Sequence, residues 1–414
     1  MSRGPQGTPR AMRPHIVLAG KCNAGKSALM NALVGQDLAI VSPTRGTTTD
    51  PVLRSSELLP FGPVVYVDTA GLDDRGALGS ARNKKTRTAV AGSDLTLYTI
   101  HPDRWDTEDL DHLVSCASQR TTLAVVTHSD TTRPGQEFLR ELQRITGRPP
   151  AVVSSASGEG VWELRDELAR ILESARQKEE KRGGRQLLEG LIGPARLVLL
   201  IVPIDLEAPA GRLILPQVQT IREVLDGNAA TLVVKDQELP WVLDQLKHPP
   251  DLAITDSQVV DRAAALLPPE VPLTTFSILF SRLKGDLPAF VESVYLLDRL
   301  PAGSRILITE SCSHQVQCDD IGRVKLPKWI RAYTGKEHHL EVTGGTFPEE
   351  LDCYDLIIHC GGCMITRPQM LARLEDARLA GVGVTNYGVA ISHMQGVLER
   401  VLEPFNLNGA ARSA

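Results

Sequence analysis

The chain has 414 residues, 42% hydrophobic and 23% charged, an ordinary globular profile too long for one domain, so two or three domains are expected. A net charge of −5 argues against the broad basic field that a phosphate backbone attracts, and no nucleic-acid partner is expected. The N-terminal stretch lacks the apolar segment of a secretory signal, and no apolar run reaches bilayer length. No membrane association and a cytoplasmic location are therefore expected.

In chain order, short apolar strands are predicted at 15–19, 64–67, 95–100, 123–127 and 151–154, with helical stretches between them. That alternation predicts an α/β domain with a mostly parallel sheet over 1–175. The charged, Gly-ending run 176–185 reads as a helix end and linker. A second, small α/β segment over 186–270 opens with the buried-strand run 196–204, then a helix at 217–225 and a strand at 231–234. It shows no chemistry, and its apolar edges suit association. A third α/β segment, 271–414, places short strands at 305–309, 356–359 and 382–385. Its helix at 369–380 is marked by Pro368 and Gly381.

Gly20-Lys21-Cys22-Asn23-Ala24-Gly25-Lys26-Ser27 matches the phosphate-loop pattern G-x-x-x-x-G-K-[ST], after a strand and before a helix that continues with Ala28. Backbone amides from Gly20 to Ala28 are expected to cradle phosphate oxygens, helped by the positive end of the helix. Lys26 would reach the β- and γ-phosphates and Ser27 would ligate Mg²⁺. Asp68-Thr69-Ala70-Gly71 ends the next strand, where Asp68 would hold the Mg²⁺ shell and the Gly71 amide would sense the γ-phosphate. Thr48, in the polar loop 45–50, would complete the metal shell.

Guanine-selective GTPases carry N-K-x-D after a later strand. Here the same place reads Thr127-His128-Ser129-Asp130, which keeps only the Asp, the acceptor for guanine. Ser154-Ser155-Ala156 resembles the final base-contacting loop, so GTP is the expected nucleotide. After Gly71 stands Leu72, where many GTPases place a water-orienting Gln. The domain resembles the Era/TrmE-like GTPases, which share that replacement and the loop Asn. Matching Asn23 to that Asn implies K⁺ as a candidate activator, against the plain alternative of a turn-forming Asn.

Five of the seven cysteines lie between Cys312 and Cys363. Cys312-Ser313-His314 follows one strand and His359-Cys360-Gly361-Gly362-Cys363 another, so both loops leave strand ends, where open parallel sheets gather ligands. The residue types fit either structural zinc or an iron–sulfur cluster. Cys22 and Cys116 read as packing residues, and Cys318 and Cys353 belong to neither loop motif.

The joint pattern resembles the HydF family, the maturation GTPases of [FeFe]-hydrogenase. It comprises the phosphate loop, DTAGLDDRGALG with Lys84-Lys85-Thr86, PAGRLILPQVQTIREVLD, C-x-H…H-C-x-x-C and TNYGVAISHMQG, in order along nearly the whole chain. The resemblance implies GTPase, dimerisation and cluster-binding domains and a homodimer. It implies a [4Fe–4S] cluster on Cys312, Cys360 and Cys363, with His314 and His359 as further candidate ligands. It also implies a scaffold that assembles or carries the di-iron subcluster precursor and delivers it to apo-[FeFe]-hydrogenase, with the radical-SAM maturases as further partners. The rival is an Era/TrmE-type RNA-linked GTPase with a structural zinc module.

Overall fold

The computed structural model describes residues 9–35, 51–73, 77–181, 186–204, 213–311, 320–345, 347–348 and 350–407. The chain divides into two compact units, Met1–Gly184 and Arg185–Ala414. Both are α/β, with mostly parallel sheets.

In the first unit the strands are β1 (His15–Ala19), β2 (Val52–Leu58), β3 (Gly62–Asp68), β4 (Leu95–Ile100), β5 (Thr122–Val126) and β6 (Ala151–Val152). They lie in the order β2-β3-β1-β4-β5-β6, and only the β2–β3 pair is antiparallel. All five residues of β1 are buried, as a central strand covered on both faces requires. Ile16 and Leu18 pack into one core with Leu29 and Leu33, while Val17 and Ala19 enter another with Tyr98 and Leu113. The two-residue alternation of the strand thus serves two cores. β2 escapes the sequence pattern because VLRSSEL is a half-exposed edge with little apolar content.

The second unit holds two four-stranded parallel sheets. The first contains β7 (Leu197–Ile201), β8 (Ala230–Val234), β9 (Leu252–Thr255) and β10 (Leu273–Thr275), in the order β10-β9-β7-β8. The second contains β11 (Arg305–Glu310), β12 (His339–Gly344), β13 (Leu356–His359) and β14 (Gly383–Asn386), in the order β12-β11-β13-β14. β10 lies beyond residue 270, where the sequence pattern placed the end of the middle segment. One core takes in both sheets: Leu199, Ala253 and Leu273 share it with Ile306, Ile358 and Val384. The helix Arg367–Leu379 is capped by a reciprocal Thr366–Gln369 box with Pro368 in its first turn. Among the described residues, no helix is long and apolar enough to cross a membrane.

Candidate functional site

β1 runs into Gly20, whose φ of 140° and approach to the Thr99 carbonyl leave no space for a side chain. Asn23 and Gly25 both take left-handed backbone, with φ of 59° and 88°, and so turn the loop back on itself. The helix Lys26–Val34 then starts with no side-chain cap. Its first amides are left for a ligand's oxygens, the arrangement that binds phosphate. Ser27 and Ala28 are exposed on that first turn, as is Asn23 on the loop, while Ala24 is buried.

Lys26 is buried, and its ammonium donates to the carbonyls of Gly20 (3.1 Å) and Lys21 (2.8 Å). Burial lowers its pKa, opposed by the charges of Asp68, Cys22 and Asp73. The Ser27 hydroxyl donates to Asp68 Oδ2 at 2.6 Å. The other carboxylate oxygen, Oδ1, is buried and has no partner among the described residues. Burial raises the Asp68 pKa, with Ser27 and Lys26 pulling it back down. A hydroxyl beside a carboxylate with one unused oxygen fits a hard, oxygen-seeking cation such as Mg²⁺.

The two phosphate motifs interlock at Gly71. A Cβ there would stand 2.6 Å from the Cys22 nitrogen and 2.8 Å from Asp73 Oδ1, and the Cys22 amide already donates to that oxygen at 2.6 Å. Leu72 is buried, and its amide donates to the Gly20 carbonyl at 3.2 Å, so the residue packs and offers water no polar group. Lys21 turns away to Asp106 (2.6 Å), Glu108 (3.0 Å) and Asp109 (3.5 Å). Thr48 lies outside the described residues.

At the base-recognition position, the buried Thr127 hydroxyl donates to the Ala24 carbonyl at 2.9 Å and so ties this loop to the phosphate loop. The His128 ring lies 4.5 Å from that of His101. Asp130 is exposed, and a hydrogen bond from Ser154 holds its carboxyl below the usual range. The structure therefore brings Asp130 beside the turn carrying Ser155 (half-buried) and Ala156 (exposed).

The thiol loops emerge from the neighbouring parallel strands β11 and β13. Cys360 is buried, its amide donates to the Thr309 carbonyl at 2.9 Å, and its sulfur accepts the Ser311 amide at 3.1 Å. Ser311 immediately precedes Cys312, and residues 312–319, with Cys312 and His314, lie outside the described residues. Gly362, at φ 64°, turns the loop toward the half-buried Cys363. Burial first, then the neighbouring Cys360, pushes the Cys363 thiol up to about 11, against the pull of Lys284. Among the described residues, no three His, Cys, Asp or Glu side chains group as a metal site.

His359, a candidate ligand from the sequence, is committed elsewhere. The Arg373 guanidinium, always a donor, lies 2.8 Å from Nε2, so Nδ1 carries the proton and donates to the Cys360 carbonyl at 2.6 Å. With both nitrogens engaged, His359 braces the loop and offers no lone pair. Arg373 also donates to Ser311 Oγ at 2.9 Å and to the Gly345 carbonyl, linking the ends of three strands.

A cavity of roughly 180 Å³ opens over these strand ends, lined among others by Asp256, Phe276, Glu310, Asp320, Cys360 and Cys363. Its walls come from the ends of both sheets. Sequence reasoning missed Lys284, the last residue of the helix Phe276–Lys284. Its buried ammonium donates to the carbonyls of Gly362 (3.3 Å), Cys363 (3.0 Å) and Ile365 (2.7 Å). No motif contains it, and its only sequence signal is the helix end before Gly285.

Three family models match in succession: a 50S ribosome-binding GTPase over 15–128, a Hydrogen maturase F dimerization domain over 187–285 and a Hydrogen maturase F tetramerization domain over 288–404. The chain is 34% identical over 170 residues to the tRNA modification GTPase MnmE of Koribacter versatilis, a match covering 40% of this chain and 35% of that protein. It is 34% identical over 202 residues to MnmE of Dechloromonas aromatica, covering 43% of each. The chain thus spans well under half the length of these curated relatives. Among solved structures, the GTPase Era of Aquifex aeolicus bound to GDP and aluminium fluoride aligns at 15% identity with a TM-score of 0.33, over 89% of this chain and 98% of that one. The G domain of the T. maritima FeoB iron transporter aligns at 22% identity with a TM-score of 0.31, over 39% of this chain and 99% of that one.

Proposed function

The chain belongs to the HydF family, hydrogen maturase F, and on that footing we propose a GTP-hydrolysing scaffold that carries a [4Fe–4S] cluster and delivers a di-iron precursor to apo-[FeFe]-hydrogenase. The observation that carries the cluster part is the Ser311–Cys360 contact. It holds Ser311, the residue before Cys312, against the loop of Cys360 and Cys363, which supports a site shared by the three cysteines. These three cysteines are the proposed ligands. When bound, the cluster would supply iron that these three thiolates leave open to a further, exchangeable ligand.

In the first unit the amides after Gly25 and the Lys26 ammonium would bind the phosphates, with Asp68 and Ser27 holding Mg²⁺. When bound, Mg²⁺ neutralises charge on the phosphate oxygens. Attack by water on the γ-phosphate would proceed in line, with Lys26 meeting the charge that develops. Leu72 leaves water orientation to other groups, and Asn23, exposed on the loop, is the proposed K⁺ contact. GTP turnover would regulate association with the radical-SAM maturases and the hydrogenase. The proposed domains are GTPase over 1–175, dimerisation over 186–270 and cluster binding over 271–414.

A second reading has one observation in its favour: the likeness to MnmE, named as a tRNA modification GTPase. It is an RNA-linked GTPase with structural zinc at the cysteines. Anaerobic purification with iron, sulfide and zinc analysis separates the two. About four irons per chain and a brown chromophore support the cluster carrier. Stoichiometric zinc with no chromophore would overturn it.

A further inference from the structure

The helix Phe276–Lys284 follows the last strand of one sheet, yet its final side chain serves the loop that follows a strand of the other. Lys284 is only 5% exposed. An ammonium has three protons to donate, and here three carbonyls of one short loop, those of Gly362, Cys363 and Ile365, receive them. Among the described residues, no carboxylate lies within ion-pair distance of it. Its Nζ instead lies 5.5 Å from the centre of the Phe280 ring.

A buried cation without a counter-ion is unfavourable unless negative charge arrives beside it. A neutral amide, with two N–H donors, could serve two of the three carbonyls without a charge to bury, so the ammonium brings a third donor and a positive charge. The charge has a use once thiolates and the electrons of a cluster occupy the loop.

Building on the cluster reading above, we propose that Lys284 is a positioning residue for the cluster, clamping the Cys360–Cys363 loop and raising the cluster's reduction potential through its buried positive charge. Reduction adds one electron, and so one negative charge, to the site. A fixed cation favours that state over the oxidised one, most strongly where water is excluded.

The test uses the full chain, reconstituted anaerobically with iron and sulfide, as wild type, Lys284→Met, Lys284→Gln and Lys284→Arg. Iron content, GTP turnover and the midpoint potential are measured, the last by dithionite titration followed by electron paramagnetic resonance. Met and Gln variants that keep their iron are expected to have a reduction equilibrium constant at least tenfold lower, about 59 mV for one electron. Arg should restore the wild-type value, and GTP turnover should stay unchanged throughout. A wild-type potential in iron-loaded Met or Gln protein would overturn the inference while leaving the cluster reading intact. If Met and Gln lose iron, retention by Arg supports the role of the charge, and loss by Arg as well overturns it in favour of shape alone. Wild type without a cluster would overturn both readings.

Discussion

An N–H···S contact of 3.1 Å joins Ser311 to Cys360, residues 49 positions apart in sequence and brought together by the parallel pairing of β11 with β13. Cys363→Ser or Cys360→Ser should lower bound iron from about four per chain to below about one, because a cluster with one ligand missing is labile. GTP turnover should stay within about twofold, since the phosphate loop belongs to the other compact unit. Loss of both activities in well-folded protein would argue against separable sites.

The Oδ1 of Asp68, which has no partner among the described residues, makes a different prediction. Asp68→Asn keeps an acceptor for Ser27 but removes the charge that Mg²⁺ would meet. GTP turnover should fall by about 10²–10³-fold and respond weakly to added Mg²⁺. Lys26→Ala should lose as much turnover while the iron content is unchanged. Near-normal turnover in either variant would remove these residues from the proposed mechanism.

Asn23, left-handed and exposed at the loop's turn, is tested by the choice of salt. Turnover in potassium buffer should exceed that in sodium by about tenfold, the scale of a single added stabilising charge. Asn23→Ala should erase the difference. Equal rates in the two salts for wild type would leave Asn23 as a turn residue.

Gly71→Ala would force a Cβ against the Cys22 backbone nitrogen at 2.6 Å. Backbone cannot swing aside as a flexible side chain can, so the phosphate loop must shift. Nucleotide affinity should drop by about tenfold or more in a titration, with little change in thermal stability. Unchanged affinity would mean that the loop yields freely.

Burial pushes the Asp94 carboxyl up to about 6, although the His15 amide, 2.8 Å away, works in the opposite direction. Between about 3.8 and 6 the folded chain holds a proton that the unfolded chain has released. Folding therefore binds protons in that window. Stability of the first unit should fall as pH rises through it and level off above about 6. Asp94→Asn keeps the acceptor, flattens that slope and raises Tm at pH 7 by about 3 °C. Identical slopes for the two proteins would contradict the assignment.

What could be read in advance follows from where the signal resides. The phosphate loop is a backbone device with obligatory glycines and Lys26, so its residue types announce it. β1 and β11 are apolar runs buried by neighbours on both faces, and they too stand out. β12 does not, because HLEVTG is a half-exposed edge. His359 shows a different gap: its residue type fits a ligand, but its hydrogen bonds to Arg373 and Cys360 exist only after folding. Lys284 was hidden for the same reason, since its partners are main-chain carbonyls about 80 positions away, which leave no mark in residue types.

The helix Phe276–Lys284 also bears on how this protein is taken apart. Arg367 donates to the carbonyls of Leu283 and Gly285 at 3.2 Å, and Asn386 donates to the Ser277 carbonyl at 3.3 Å. The family models part company just beyond this helix, between residues 285 and 288. A fragment cut there would leave the thiol loop on one piece and its clamp on the other, with apolar surface exposed on both. A fragment meant to isolate the cysteines intact should begin before β7, so that the whole folded block travels with them.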